Sequence, residues 1–315
     1  MTIARKREEA HILVTGGTGV MGSRLVRVLV NDGWRCRVLT LTDDPFISRL
    51  KGINCEIVSG DITDARSLEG IFDNVMTVYH LAAIIIARDP ALFKKINTDG
   101  TKNIVKGATS SGVKHLIYIS SASVIYPRST PYSRSKKECE DIVKQQEAMN
   151  YTIIRPTLVY GKNGGQEFIM FKDYLMKYPV VPFIGRGRAL KNPVDIDDLI
   201  QGLRAIAGNE KCYGKTYNFS GGEDMSIWDL AHLILAYNGG KKLFVPIPVW
   251  LCTLLAHGME ATMKRPLLTQ NIIAGITQNA NLDHSSAKED IGYNPIGIRE
   301  GMKKYFSDMG STSNG

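Results

Sequence analysis

The stretch that most constrains this 315-residue chain lies near its start, where the apolar run His11–Thr15 passes directly into Gly16-Gly17-Thr18-Gly19-Val20-Met21-Gly22. An apolar run without polar alternation has the profile of a strand buried on both faces. From Ser23 to Val30 the apolar positions recur at helical spacing, until Asn31-Asp32-Gly33 stops them. Strand, glycine loop and helix in that order give a tight turn and a helix N-terminus that can hold an anion. The glycines count as Gly17-x-Gly19-x-x-Gly22 or as Gly16-x-x-Gly19-x-x-Gly22, and both let the backbone approach a pyrophosphate closely. Gly16, Thr18, Gly19, Val20, Met21 and Gly22 are therefore the candidate cradle of a dinucleotide.

Further strands read at Arg35–Leu41, Cys55–Ser59, Val75–Tyr79, His115–Ser120 and Tyr151–Arg155. Helical stretches separate them, one starting near Arg66 behind a Thr63 or Asp64 cap. A second enters at Asn97-Thr98-Asp99-Gly100-Thr101 and runs to about Ser110, and a third runs from Tyr132 to Met149. This alternation predicts an α/β fold, a doubly wound parallel sheet with right-handed crossovers. After Gly161-Lys162-Asn163-Gly164-Gly165 the rhythm changes to Pro-rich turns and irregular helices. Residues 1–160 are thus expected to hold the nucleotide and residues 161–315 mainly the substrate, with segments around 194–220 returning to the first part. Ser311–Gly315 reads as a frayed tail. An acid about 20 residues beyond the glycines commonly holds the ribose hydroxyls. Here the strand tip is Leu39-Thr40-Leu41-Thr42-Asp43-Asp44-Pro45, and its late acids either reach the ribose or start a turn.

Tyr132-x-x-x-Lys136 places two polar groups one turn apart on one helix face. A free phenol has a pKa of about 10. An ammonium roughly 5 Å away, at an effective dielectric of about 20, favours phenolate by about 3 kcal/mol. That brings the phenol towards a working range for proton transfer, with a serine at the preceding strand end placed to share the substrate oxygen. His80 reads as a packed structural histidine.

The formal charge is +8, with the densest basic cluster at Arg5-Lys6-Arg7. No basic stripe with interleaved aromatics occurs, so a nucleic-acid partner is not expected, whereas a basic surface suits a small anion. The five cysteines are odd in number and lack metal-site spacing, which predicts no metal and reduced thiols in a cytoplasmic protein. Leu243–Ala256 is broken by two prolines and falls short of the roughly 20 apolar residues of a spanning helix.

Taken together the chain resembles the extended short-chain dehydrogenase/reductases, the NAD-dependent epimerase/dehydratase family. The resemblance rests on residues 15–22, Gly60-Asp61, His80-Leu81-Ala82-Ala83, Asn97-x-x-Gly100-Thr101-x-Asn103, Ser120-Ser121, Tyr132-x-x-x-Lys136 and Arg155-Pro156-x-x-Val159-Tyr160-Gly161. Val194–Asp198, Tyr217–Ser220 and Gly292–Pro295 extend it. It implies a Rossmann-type domain with a smaller C-terminal substrate-binding part and a catalytic trio of Ser121, Tyr132 and Lys136, with Ser123 as the fallback serine. Asp61 and Ile62 would flank the adenine. Thr40, Leu81, Ala82, Ala83, Asn97, Ile119, Pro156 and Val159 would line the cofactor path. Thr40 stands where many NAD-using members carry aspartate, which leaves NAD or NADP open with NAD ahead. Lys191 stands where sugar-nucleotide members carry a diphosphate-binding arginine. Lys191 and Arg188 are the candidates to hold a substrate phosphate, alongside Ser121, Ser123 and Tyr132 as substrate contacts.

Three functions follow from the resemblance. A nucleotide-sugar 4-epimerase or 4-keto reductase stands first. A dehydrogenase or reductase of an apolar alcohol, like the 3-beta-hydroxysteroid and dihydroflavonol enzymes, stands second, suggested by Pro248–Leu251 and Arg265–Thr269. A non-catalytic scaffold stands last. A homodimer packed through the helix at Thr101–Ser110 and the one after Tyr132 is expected.

Overall fold

The computed structural model describes residues 11–162, 164–263 and 268–311. Arg5-Lys6-Arg7, Asn163, Arg265-Pro266-Leu267 and most of the expected C-terminal tail lie outside them. Seven parallel strands form the main sheet: β1 (His11–Thr15), β2 (Arg35–Thr40), β3 (Glu56–Ser59), β4 (Val75–His80), β5 (His115–Ile119), β6 (Asn150–Pro156) and β7 (Lys215–Phe219). Their spatial order is β7-β6-β5-β4-β1-β2-β3. The order reverses between β1 and β4, and ligands of such sheets bind in the crevice beyond the strand ends at that point.

Alternation along the strands fills both faces. Ile12 and Val14 point to one side with Leu25, Val26 and Leu29 of α1 (Val20–Asn31), while Leu13 points to the other with Ile104 and Ala108 of α2 (Gly100–Ser110) and Val143 of α3 (Pro131–Gln145). All of these are at most 1% exposed, and each buried aliphatic side chain contributes about 1.5–3 kcal/mol. The helix expected near Arg66 is only one tight turn, Ala65–Leu68, started by the Asp64 carboxylate, which accepts from the Arg66 amide at 3.1 Å. The helix expected to run to Met149 stops at Gln145, because Gln146 takes extended backbone angles and its side chain bonds Met149 in a local turn.

The remaining chain supplies α4 (Gln166–Lys177), α5 (Ile196–Ile206), α6 (Ile227–Tyr237), α7 (Val249–Thr262), α8 (Gln270–Thr277), α9 (Ser285–Ile291) and α10 (Ile298–Ser311). Of these, α5 packs with α1 on the sheet, while Phe168, Leu230, Ile234 and Ile298 form a separate core beside it. That core includes one face of a parallel strand pair, Val180–Ile184 with Leu243–Ile247.

Two buried imidazoles brace the sheet. His80 bonds the hydroxyls of Thr15 at 2.7 Å and Thr101 at 3.0 Å, and His115 bonds that of Thr152 at 2.8 Å. Burial, helped by the Lys136 charge, lowers His80 to about 3, and burial lowers His115 to about 4. Both folded values lie below the unfolded 6.5, so this stabilisation is complete above pH 6.5 and is lost as pH falls through about 4 and about 3. Urea midpoints measured between pH 7 and pH 4.5 should fall steeply, by up to about 2.7 kcal/mol per pH unit in stability. A flat profile would remove these histidines as the cause.

Candidate active site

The glycine loop is walled on its protein side and open above Gly19. Gly16 has φ +69°, and a Cβ there would stand 2.8 Å from the Ala82 amide nitrogen. A Cβ at Gly22 would meet the Gly16 carbonyl oxygen at 2.2 Å, and one at Gly17 would meet a Val38 methyl at 2.5 Å. At Gly19 only the Gly16 oxygen, at 3.2 Å, comes within 4 Å. Gly19 also caps α1 without a side-chain hydrogen bond, and no acid lies in that helix's first turn, where Val20 and Met21 sit. The open N-terminal end of α1 is where these residues would hold a pyrophosphate.

At the tip of β2 the two threonine hydroxyls converge on one acid. Thr18 donates to the Asp44 carboxylate at 2.7 Å and Thr40 at 2.9 Å, while the Phe46 amide donates at 2.8 Å. Arg49 donates to the Thr18 carbonyl at 3.1 Å and lies over the Phe46 ring. Burial opposes the Asp44 charge, but the three hydrogen bonds and Arg49 outweigh it and hold its pKa below the ordinary carboxylate value. Asp44 thus reaches back to the strand end from four residues beyond Thr40.

Past β3, Asp61 accepts from the Thr63 amide at 2.8 Å, and Asn103 donates to the Ile62 carbonyl at 2.8 Å, which stiffens the turn expected beside the adenine. Past β4, the Leu81 and Ala82 amides donate to the Thr15 carbonyl and hydroxyl, each at 3.2 Å, and Ala83 follows in the same segment. Asn97 is committed to the protein. It exchanges two hydrogen bonds with the Ile84 backbone and donates to Ser135 at 3.1 Å, pinning the post-β4 segment to α3.

Tyr132 occupies the first turn of α3, which starts at a reciprocal cap between Thr130 and Ser133 with Pro131 in the first helical position. Its ring lies 6.0 Å from that of Phe93. Ser121 starts the tight turn Ala122–Ile125, and its hydroxyl pairs with that of Ser123 at 2.9 Å. Burial, then the Glu167 charge, raises the Tyr132 pKa, and a hydrogen bond from Ser121 pulls the other way. Lys136 does not lower it as the helical spacing predicts. Its ammonium donates to the Ile119 carbonyl at 2.5 Å and sits 4.3 Å from the centre of the Tyr118 ring, both at the end of β5. Burial lowers the Lys136 pKa to about 8.

One carboxylate that sequence reading passed over fixes this arrangement. Glu140, fully buried, accepts from Ser120 at 2.6 Å and from both arms of Arg155 at 2.8 and 2.6 Å. It joins α3 to the ends of β5 and β6. Its signal was available one turn beyond Lys136, on the face that carries Tyr132.

On the substrate side, β6 ends at Pro156, and Val159 pairs with Val194 in a short parallel bridge. Lys191 is 5% exposed, and its ammonium donates to the carbonyls of Gly275 at 2.8 Å and Gln278 at 2.5 Å. It closes the C-terminal end of α8 and stands 5.6 Å from the centre of the Tyr126 ring. Arg186 and Arg188 line a hollow of about 490 Å³ with Ser226, Trp228 and Asp229. Among the described residues no group of three or more His, Cys, Asp or Glu side chains is placed to hold a metal.

A glycine loop at the N-terminus of α1, with Ser121, Tyr132 and Lys136 just beyond the end of β5 in the same parallel sheet, is the arrangement expected of α/β enzymes working with a nicotinamide dinucleotide. The NAD dependent epimerase/dehydratase family matches residues 12–219, and this chain belongs to that family. A ceramide reductase of Caulobacter vibrioides is 31% identical over 175 residues, a match spanning 56% of this chain and 54% of that protein. A UDP-glucose 4-epimerase of Vibrio cholerae is 26% identical over 96% of this chain and 97% of its own length. A 3-beta-hydroxysteroid dehydrogenase of Mycolicibacterium neoaurum is 23% identical over 96% and 93%. The UDP-glucose 4-epimerase of Thermotoga maritima, solved with UDP-glucose, shares the fold at a TM-score of 0.74 and 23% identity, over 96% of this chain and 100% of that one.

Proposed function

We propose that this enzyme is an NAD-dependent dehydrogenase or reductase of an apolar alcohol or ketone. The observation that carries this reading is the state of Lys191. The one cation at the diphosphate-gripping position is buried and already holds two backbone carbonyls, so withdrawing it for a substrate would leave the end of α8 uncapped. Beside the Ser121–Tyr132 pair stand two apolar side chains, Phe93 against Tyr132 and Ile125 closing the turn that Ser121 starts, with Glu167 as the charged neighbour. The ceramide reductase and steroid dehydrogenase relatives support the same substrate class. The nucleotide-sugar reading rests on the epimerase relative and on Arg186 and Arg188, which stand in a separate hollow.

When bound, the nicotinamide supplies or accepts hydride. Tyr132 would give its proton to the substrate oxygen as a ketone is reduced, or take one in reverse, and Ser121 would hold the same oxygen. With its pKa raised, the phenol stays protonated at neutral pH, which favours reduction. Lys136 would carry its charge beside the nicotinamide ribose. Ketone reduction should hold steady from pH 6 to 7.5 and decline as pH rises through about 8, where Lys136 loses its proton. A rate that climbs across that range would contradict this assignment.

Asp44 supports NAD as the cofactor. Its ionised carboxylate, fastened at the tip of β2, would accept from ribose hydroxyls and repel a 2′-phosphate. Asp44→Ala should shift the ratio of kcat/KM for NADH over NADPH towards NADPH by about tenfold, or about 1.4 kcal/mol, because Arg49 then lacks its acid. An unchanged ratio would assign selection elsewhere.

The deciding experiment assays the purified protein with NADH against 3-ketosteroids and long-chain keto lipids, and with UDP-glucose for interconversion. Consumption of an apolar ketone supports the proposal. Interconversion of UDP-hexoses, with NAD retained through purification, would sink it. A homodimer through the outer faces of α2 and α3, in the cytoplasm, completes the proposal, and light scattering at micromolar concentration tests the dimer.

A further inference from the structure

The strand pair Val180–Ile184 and Leu243–Ile247 buries one face only. Val181, Phe183 and Phe244 point into the core, while Val180 at 45%, Leu243 at 64% and Val245 at 43% exposure point out. Register sets the outer side chains in rows, Val180 beside Leu243 and Pro182 beside Val245, leading to Ile184 beside Ile247. That last row packs with Cys252 and Ala256 of α7, so the apolar surface continues onto the helix. There it meets Trp250, 69% exposed, Leu254, 63%, and Leu255, 47%. On a helical projection Trp250, Leu251, Leu254, Leu255 and Gly258 share one face of α7, and none is charged. Glu260 points away from that face and accepts from the Gln270 amide.

Charge gathers at the other end of the strand pair. Leu243 bonds the Pro179 carbonyl there, which brings together Lys177, Lys241 and Lys242, whose ammonium reaches the Met176 carbonyl at 3.3 Å. Asp173, one turn before Lys177, offsets part of that charge. An uncharged apolar surface with an exposed tryptophan, rimmed by lysines on flexible stems, matches the apolar and anionic layers of a lipid interface.

We propose that this surface, formed by α7 and the outer face of the two-stranded pair, docks the enzyme on an anionic lipid bilayer. The helix lies in the interface and does not cross. Its 14 residues extend about 21 Å, against a hydrocarbon core of about 30 Å, and no helix among the described residues is long and apolar enough to span. The proposal stands on the surface alone and holds whether the substrate is an apolar alcohol or a nucleotide-sugar.

The test is co-sedimentation of the full chain with sucrose-loaded vesicles, either phosphatidylcholine alone or phosphatidylcholine with about one-third phosphatidylglycerol. Binding to the mixed vesicles, weaker on phosphatidylcholine and reduced several-fold by salt, is expected. The tryptophan emission should shift to the blue on binding, and this shift should vanish in Trp250→Phe. The double variant Leu254→Ser/Leu255→Ser should bind on the order of tenfold less, with circular dichroism and melting unchanged because both side chains are largely exposed. Absence of vesicle binding, full binding by the double variant, or a concentration-dependent dimer abolished by that variant would each overturn the proposal.

Discussion

Tyr132→Phe is expected to lower kcat by about a thousandfold while leaving the dissociation constant for NADH within about twofold. The phenol ring packs near Phe93, so the ring survives the change and only the hydroxyl is lost. With it goes the proton donor beside Ser121, and neither His80, buried and neutral, nor Lys136, tied to the Ile119 carbonyl, replaces it. Stopped-flow fluorescence for the cofactor and steady-state turnover for the ketone separate the two effects. Equal turnover by the variant would mean that the chain binds dinucleotide without using this residue, as a scaffold would.

Glu140→Ala is expected to cost about 3–5 kcal/mol in stability, the largest effect of any single change proposed for this protein. The loss exceeds that of an ordinary ion pair because Glu140 is fully buried and the Arg155 side chain is only 16% exposed. Removing one partner leaves a guanidinium out of water without compensation. Ser120 also loses its acceptor, so the strand end that carries Ser121 loosens. Urea unfolding of the variant should show a lower midpoint with an unchanged slope. Glu140→Gln, which retains acceptor capacity, should lose less. If both variants melt with the parent protein, the carboxylate does not hold the site together.

The main sheet was legible because its central strands, β1, β4 and β5 above all, are buried on both faces, and such strands spell themselves out as apolar runs that end in turn residues. The glycine loop was legible for a related reason: contacts of 2.2–2.8 Å at three of its glycines exclude any side chain, so the composition itself reports the packing. The electrostatics were less readable. Spacing alone put Lys136 beside Tyr132, but the ammonium meets the Ile119 carbonyl, a partner supplied by β5 that spacing within the helix does not report. Lys191 illustrates the same limit, since its partners at Gly275 and Gln278 lie more than eighty residues away. Asp44 could be weighed as a ribose ligand or a turn former, and its bond to the Phe46 amide is that of a turn former, with the Thr18 and Thr40 hydroxyls as its other partners.

The Glu140–Arg155–Ser120 clamp has an engineering consequence. All three residues precede residue 160, so the clamp ties α3 to the ends of β5 and β6 within the first part of the chain, and from the later part Gln278 holds the Arg128 backbone between Ser121 and Tyr132. Exchanging the later segments, 166–190 and 225–311, for the corresponding stretches of a relative should succeed where α5 and β7 stay with the sheet and the Gln278 contact to the Arg128 backbone is kept. Chimeras cut along that seam should inherit the donor's substrate range and keep the recipient's proton-transfer geometry, which makes the clamp a natural joint for building new specificities.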